Sequence, residues 1–228
     1  MQDRLDKLDK QSFSLLSRTR QLMETYCGPA TIQMLLSHYG IEVHQQQVVD
    51  VAGVQATVEL HGIAVDDMGR AAKILAPQMR FWVKRFGTIS ELQKIVREYN
   101  YPVGVDWQGI FEIADEYDET GYRGVTEETL AEAGYSYESN DGTHGHYCVV
   151  VDVDTNENYV RLADPYGHYA EIDRFIRISE FSNRWWDQDV RVDPLSGKKV
   201  VTDECRTFFV IVPENVTFPL EMGMTPLC

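Results

Sequence analysis

Three residues of this chain have the types and order that a covalent acyl-transfer mechanism needs: Cys27, His146 and Asp164, with Gln21 six residues ahead of the cysteine. Cys27 heads the string Cys27-Gly28-Pro29-Ala30, after which Ile32, Leu35, Leu36 and Tyr39 recur at helical spacing. Pro29 suits a first helical turn and Gly40 supplies the stop, so the spacing predicts a helix over 27–39. The positive end of a helix favours thiolate over thiol, and a cysteine placed there is poised to react. Gly28 lets the backbone come close to a substrate. Gln21 can bring an amide donor beside the backbone N–H of Cys27, and two donors converging on one oxygen stabilise the charge that develops in acyl transfer. A thiolate also needs a base. His146 opens the strand-like run His146-Tyr147-Cys148-Val149-Val150-Val151, and Asp164 closes the next run, Tyr159 to Ala163. In an antiparallel pair the start of one strand lies near the end of its neighbour, which lets Asp164 orient His146. Alternation puts Cys148 on the same face, two residues deeper, where it reads as a buried structural thiol.

The elements that must hold these residues fall into two halves. Besides the helix at Cys27, helical patterns run from Gln45 to Ala52, from Val65 to Leu75 before Pro77, and from Thr88 to Tyr99. Thr88-x-x-Glu91 has the spacing of a capping box. The first hundred residues therefore read as mainly helical. Afterwards Tyr101–Asp106, His146–Val153, Tyr159–Ala163, Tyr169–Ile172 and Thr207–Val212 are rich in β-branched and aromatic residues, several of them separated by turn signals such as Asp164-Pro165-Tyr166-Gly167. Helices followed by strands predict an α+β fold, a helical part packed on an antiparallel sheet with the site in the cleft between them. A short helix after Ser179 is expected to carry Trp185 and Trp186 as packing residues.

Composition narrows the classes of function. The chain has 228 residues, 43% apolar and 25% charged, as an ordinary globular protein does. Its formal charge of −15 argues against a nucleic-acid partner, which calls for a basic surface. No uninterrupted apolar run approaches the ~20 residues that span a bilayer. Met1–Lys10 mixes charges of both signs and reads as neither a signal nor a transit sequence, so the expected location is the cytoplasm. Four scattered cysteines, Cys27, Cys148, Cys205 and Cys228, form neither a disulfide framework nor a zinc motif. The segment Gln108–Thr143 carries ten acidic residues and one base, Arg123, and reads as an insertion, either a solvated loop or a substrate-selecting surface.

The string Gln21-x5-Cys27-Gly28-Pro29-Ala30, then His146-Tyr147-x-Val149-Val150-Val151, then Asp164-Pro165, resembles the bacteriocin-processing (double-glycine leader) cysteine peptidases of the papain superfamily. The Gly-led turn entering a helix over Gly62–Ala72 and Pro102 before the acidic segment fit as well, so the resemblance covers roughly residues 20 to 187. It implies a papain-like fold, with Cys27 as nucleophile, His146 as base and then acid, Asp164 as orienter and Gln21 as oxyanion donor. It implies a peptide or protein substrate and no cofactor. The expected organisation is one peptidase domain over 1–228, with a helical part at about 20–100, the acidic insertion at about 108–143, a sheet part at about 144–212 and a tail at 213–228. Residues 188–228, an extra hairpin and tail, lie outside what the motifs explain. The same triad serves transpeptidation or deamidation if the acceptor or the substrate amide changes, and a peptide-binding module without turnover is the alternative from another class.

Weaker patterns complete the inventory. His144 and His146 form a His-x-His without an evident third metal ligand. Asp115–Glu119 lacks the alternating ligands and central Gly of a calcium loop. His168 is a second histidine near the Asp-Pro turn and reads as a turn or strand surface residue. Asn215-Val216-Thr217 matches a glycosylation acceptor with no secretory signal to make it relevant.

Overall fold

A computed structural model describes residue 13 and residues 15–110, 145–192 and 196–227. Helix α1 (Cys27–Ser37) buries Ala30, Ile32, Leu35 and Leu36 completely, as its apolar spacing requires. Helix α2 (Gln45–Ala52) is opened by a reciprocal capping box between His44 and Gln47 and is stopped by Gly53 at φ 72°. The short turn α3 (Val58–His61) leads through Gly62 into α4 (Val65–Leu75). The capping box read from Thr88 and Glu91 opens α5 (Ile89–Gln93), which continues as a π-helical turn over Lys94–Glu98. Helix α6 is Ile178–Arg184.

The strands are β1 (Met79–Lys84), β2 (Val103–Gln108), β3 (Gly145–Asp154), β4 (Tyr159–Ala163), β5 (Arg174–Arg177), β6 (Trp186–Val192), β7 (Lys199–Cys205), β8 (Phe208–Pro213) and β9 (Thr225–Leu227). Seven of them form one antiparallel sheet in the order β5-β4-β3-β2-β8-β1-β9, and β6 and β7 form a separate hairpin. Central β3 is buried from His146 to Val153, which accounts for its uninterrupted apolar run. Its one interior carboxylate, Asp152, sits at a bulge and is satisfied by Arg97 at 2.8 Å, the Tyr159 hydroxyl at 3.0 Å and its neighbour's amide. The mixture of helices and antiparallel sheet is the α+β class that the element order implies. Among the described residues no helix is long and apolar enough to cross a membrane.

Three local expectations are corrected. The helical half contains a strand, β1, because Phe81 and Val83 pair with β8 and are buried within the sheet. Tyr169–Ile172 is not a strand: Gly167 at φ 52° carries the Asp-Pro turn on into a 3₁₀ turn (Gly167–Glu171), and the strand starts later, at Arg174. Trp185 stands at the end of α6, with its indole N–H on the Thr207 carbonyl at 2.9 Å, while Trp186 already belongs to β6, where it pairs with Cys205. The acidic segment expected at 108–143 lies outside the described residues from 111 onward, as do His144 and Asp115–Glu119.

Gly104 shows how tightly the sheet is packed. It faces Phe209 across the β2–β8 pair, and Phe209 stacks on Phe81 with ring centroids 4.9 Å apart. A Cβ at Gly104 would stand 2.1 Å from a ring carbon of Phe209. Gly104→Ala is therefore expected to cost about 1–3 kcal/mol by overpacking, measured as a shift in urea midpoint at unchanged m value. A variant as stable as the wild type would mean that the ring shifts freely, against this packing.

Candidate active site

Cys27 is the first residue of α1 and is 8% exposed. Its neighbour Gly28 has to be a glycine, because a Cβ there would meet Ile63 Cγ2 at 2.4 Å and the Tyr147 ring at 3.3 Å. The glycine thus lets the helix start sit down against the 62–64 turn and strand β3. His146 is the second residue of β3, paired with Trp107 of β2, and Asp164 directly follows β4. The two side chains meet as the antiparallel geometry predicts: His146 Nε2 lies 2.7 Å from Asp164 Oδ1. His146 is also in hydrogen-bonding contact with the Cys27 thiol. Cys148, fully buried two residues further on, is pushed well above its ordinary range by that burial and stays a thiol.

The electrostatics follow from burial and pairing. His146 is 2% exposed. Burial alone would suppress its charge, yet Asp164 and Cys27 outweigh that and push the imidazolium up to about 9. Burial likewise penalises the Asp164 carboxylate, but His146, Arg174 and the Tyr166 amide hold it well below the usual carboxylate range. The pair is therefore ionised at neutral pH, an imidazolium between a carboxylate and a sulfur. Such an arrangement can store a thiolate and return a proton to a leaving group.

Gln21 is tied to the site through its backbone, whose N–H donates to the Pro165 carbonyl at 2.9 Å, next to Asp164. Its side-chain Nε2 donates to the carbonyls of Met23 at 2.9 Å and Glu24 at 2.6 Å, so it folds back on the turn that leads to Cys27. Its Oε1 is buried without a partner. Trp185 is core, as expected, packed at ring distances of 5.3 Å from Phe181 and 6.3 Å from Phe208.

Two features were not singled out from the sequence. Arg174 of β5 reaches Asp164 Oδ2 at 2.6 Å. The signal available was the alternation Arg174-Phe175-Ile176-Arg177, which puts Arg174 on the buried face with Ile176. The second is a buried carboxyl cluster beside Tyr147, formed by Asp106 of β2 and by Asp187, Asp189 and Glu204 of the β6–β7 hairpin. Asp189 accepts from the Tyr147 hydroxyl at 2.7 Å and from the Val65 amide at the start of α4 at 2.9 Å. Asp187 accepts from Gln108 at 2.8 Å, and Arg85 with Thr207 engages Glu204. Among the described residues, no group of three or more His, Cys, Asp or Glu is arranged to hold a metal ion.

Cys27 at a helix start thus stands against the buried His146–Asp164 pair on an antiparallel sheet. The chain belongs to the Peptidase_C39 like family, whose model matches residues 11–190. Among solved structures it is similar to a double glycine motif protease from an AMS/PCAT transporter in complex with the leader peptide, at 16% identity and a TM-score of 0.47, over 85% of this chain and 89% of that one. It is also similar to the peptidase domain of Streptococcus ComA, a bi-functional ABC transporter involved in a quorum-sensing pathway, at 14% identity and a TM-score of 0.48, over 86% and 97%. None of the curated proteins compared matches the chain.

Proposed function

We propose that the chain cleaves a peptide bond by nucleophilic catalysis, with Cys27 as nucleophile, His146 as base and then acid, and Asp164 as the group that orients His146. The observation that carries this reading is the buried His146–Asp164 pair at 2.7 Å in contact with the thiol at the start of α1. His146 acts as the base by holding, as its imidazolium, the proton that the thiol gives up, and the Cys27 sulfur attacks the carbonyl carbon of the substrate. The tetrahedral oxyanion is held by the Cys27 backbone N–H and by Gln21, whose amide must release the Met23 or Glu24 carbonyl to reach it. His146 then gives its proton to the departing amine, leaving a thioester. Water, deprotonated by His146, hydrolyses the thioester and restores the thiol. The substrate class is a peptide or protein, as the resemblance implies.

The test is alkylation with iodoacetamide at pH 7, read by peptide mass spectrometry in the wild type and in His146→Ala. Cys27 is expected to react faster than half-exposed Cys205, and His146→Ala is expected to abolish that preference. Equal reaction of Cys27 in both proteins would remove His146 as its base.

A further inference from the structure

Asp164 is wholly withdrawn from water, and a carboxylate so placed is tolerable only when its oxygens find donors. Oδ1 carries two of them, His146 Nε2 at 2.7 Å and the Tyr166 amide at 2.9 Å. Oδ2 is met by Arg174 Nη1 at 2.6 Å. The guanidinium is itself fixed. It lies over the Tyr169 ring, 4.0 Å from the centroid, and 5.7 Å from the centroid of Trp107, and its Nη2 donates to the Ile110 carbonyl. Arg174 is 8% exposed, so solvent does little to screen its charge from Asp164.

We infer that Arg174 is a positioning residue of the peptidase site, which fixes the rotation of the Asp164 carboxylate so that Oδ1 faces His146 and balances its charge. The inference rests on the proposed roles of Cys27, His146 and Asp164. A carboxylate bonded on one oxygen alone can turn about χ2; the short bond on Oδ2 removes that freedom, and the aromatic contacts remove it from the guanidinium in turn. The charges around His146 are Cys27, Asp164 and, further off, Asp187, and Asp164 faces His146 and Arg174, with the Cys148 thiol nearby. Arg174 is thus the fixed cation of the group. Without it, the neighbours of His146 are all acidic, and the imidazolium is held more tightly.

The experiment is an NMR titration of the His146 ring, assigned with His146→Ala, in the wild type, Arg174→Gln and Arg174→Lys, together with iodoacetamide alkylation of Cys27 at pH 7. Arg174→Gln is expected to move the His146 midpoint up by about one unit and to slow alkylation. Arg174→Lys keeps the charge without the fork, so its midpoint is expected to return to the wild-type value while alkylation stays slower. An unchanged midpoint in Arg174→Gln overturns the inference, and so does a lysine variant that shifts as far as the glutamine one. If neither variant folds, Arg174 belongs to the fold alone and the inference is equally lost. The triad reading fails separately, when wild-type alkylation of Cys27 is indifferent to His146→Ala; a dependence on His146 that survives with Arg174 irrelevant sinks only the present inference.

Discussion

Cys27→Ala is expected to leave a folded protein whose peptide cleavage is lower by a factor on the order of 10⁶. The loss is that large because the sulfur is the only protein atom in the proposed reaction that forms a bond to the substrate carbon. Without the sulfur no thioester forms, and the water that His146 would activate has no acyl-enzyme to attack. The fold should hardly notice the change, since alanine is a better helix former than cysteine and the residue starts a helix whose buried face is built by Ile32, Leu35 and Leu36. The variant also carries an internal control. The thiol is among the groups that push His146 up to about 9, so its removal should lower the His146 midpoint while the 2.7 Å bond to Asp164 persists. Cleavage is best followed by mass spectrometry on a library of peptides with small residues at varied positions. Wild-type product levels in Cys27→Ala would end the mechanism; a variant that no longer unfolds cooperatively would mean the thiol also holds the helix start.

The place of Cys27 at a helix start was legible because helix periodicity is local. Ile32, Leu35 and Leu36 declare a helix, Pro29 and Gly40 bracket it, and Cys27 follows as its first residue. The meeting of His146 with Asp164 was legible for a similar reason, as two neighbouring strands and a short turn fix their geometry without reference to the rest of the chain. Arg174 was not, since its contact with Asp164 depends on where the 3₁₀ turn over Gly167–Glu171 sets the start of β5, and local propensity favoured a strand there instead. Strand β1 was hidden by its helical neighbours on both sides, and only the distant partner β8 decides its state. The side chain of Gln21 illustrates a further limit. Its place six residues before Cys27 is sequence information, but which carbonyls claim its amide is set by the turn at 23–26. The carboxyl cluster needed a tertiary contact altogether: nothing between Asp106 and Asp187 in the chain announces that the hairpin folds back over β2.

That cluster gives the second large effect: Asp106→Asn is expected to make the protein more stable at pH 6.5 while changing it little at pH 4.5. Asp106 is fully buried and neither of its oxygens receives a donor. Burial first, and then the neighbouring Asp187, Asp189 and Glu204, raise it well above the usual carboxylate range, so it keeps a proton and donates it to Asp187. Burial also pushes Asp187 up to about 6 and Asp189 up to about 7. A group raised in the folded state stabilises fully below its unfolded value and loses that contribution as the pH climbs through its folded one. While the folded protein holds one proton that the unfolded chain has released, stability falls by about 1.4 kcal/mol per pH unit. Asp164 works in the opposite sense, but its contribution is complete above about pH 4 and fades only below that. His146, raised to about 9, begins to add to the decline only above about 6.5. The window from pH 4.5 to 6.5 therefore isolates the hairpin acids. Asparagine has the shape of the protonated acid and donates to Asp187 at every pH, so the variant should lose about 3 kcal/mol less than the wild type across those two units. Urea unfolding at a series of pH values measures it, and two parallel curves would show that Asp106 carries no proton of its own. The consequence reaches the site, because Asp187 and Asp189 dock the hairpin against Gln108 and Tyr147, the residues on either side of the β2–β3 pair that carries His146.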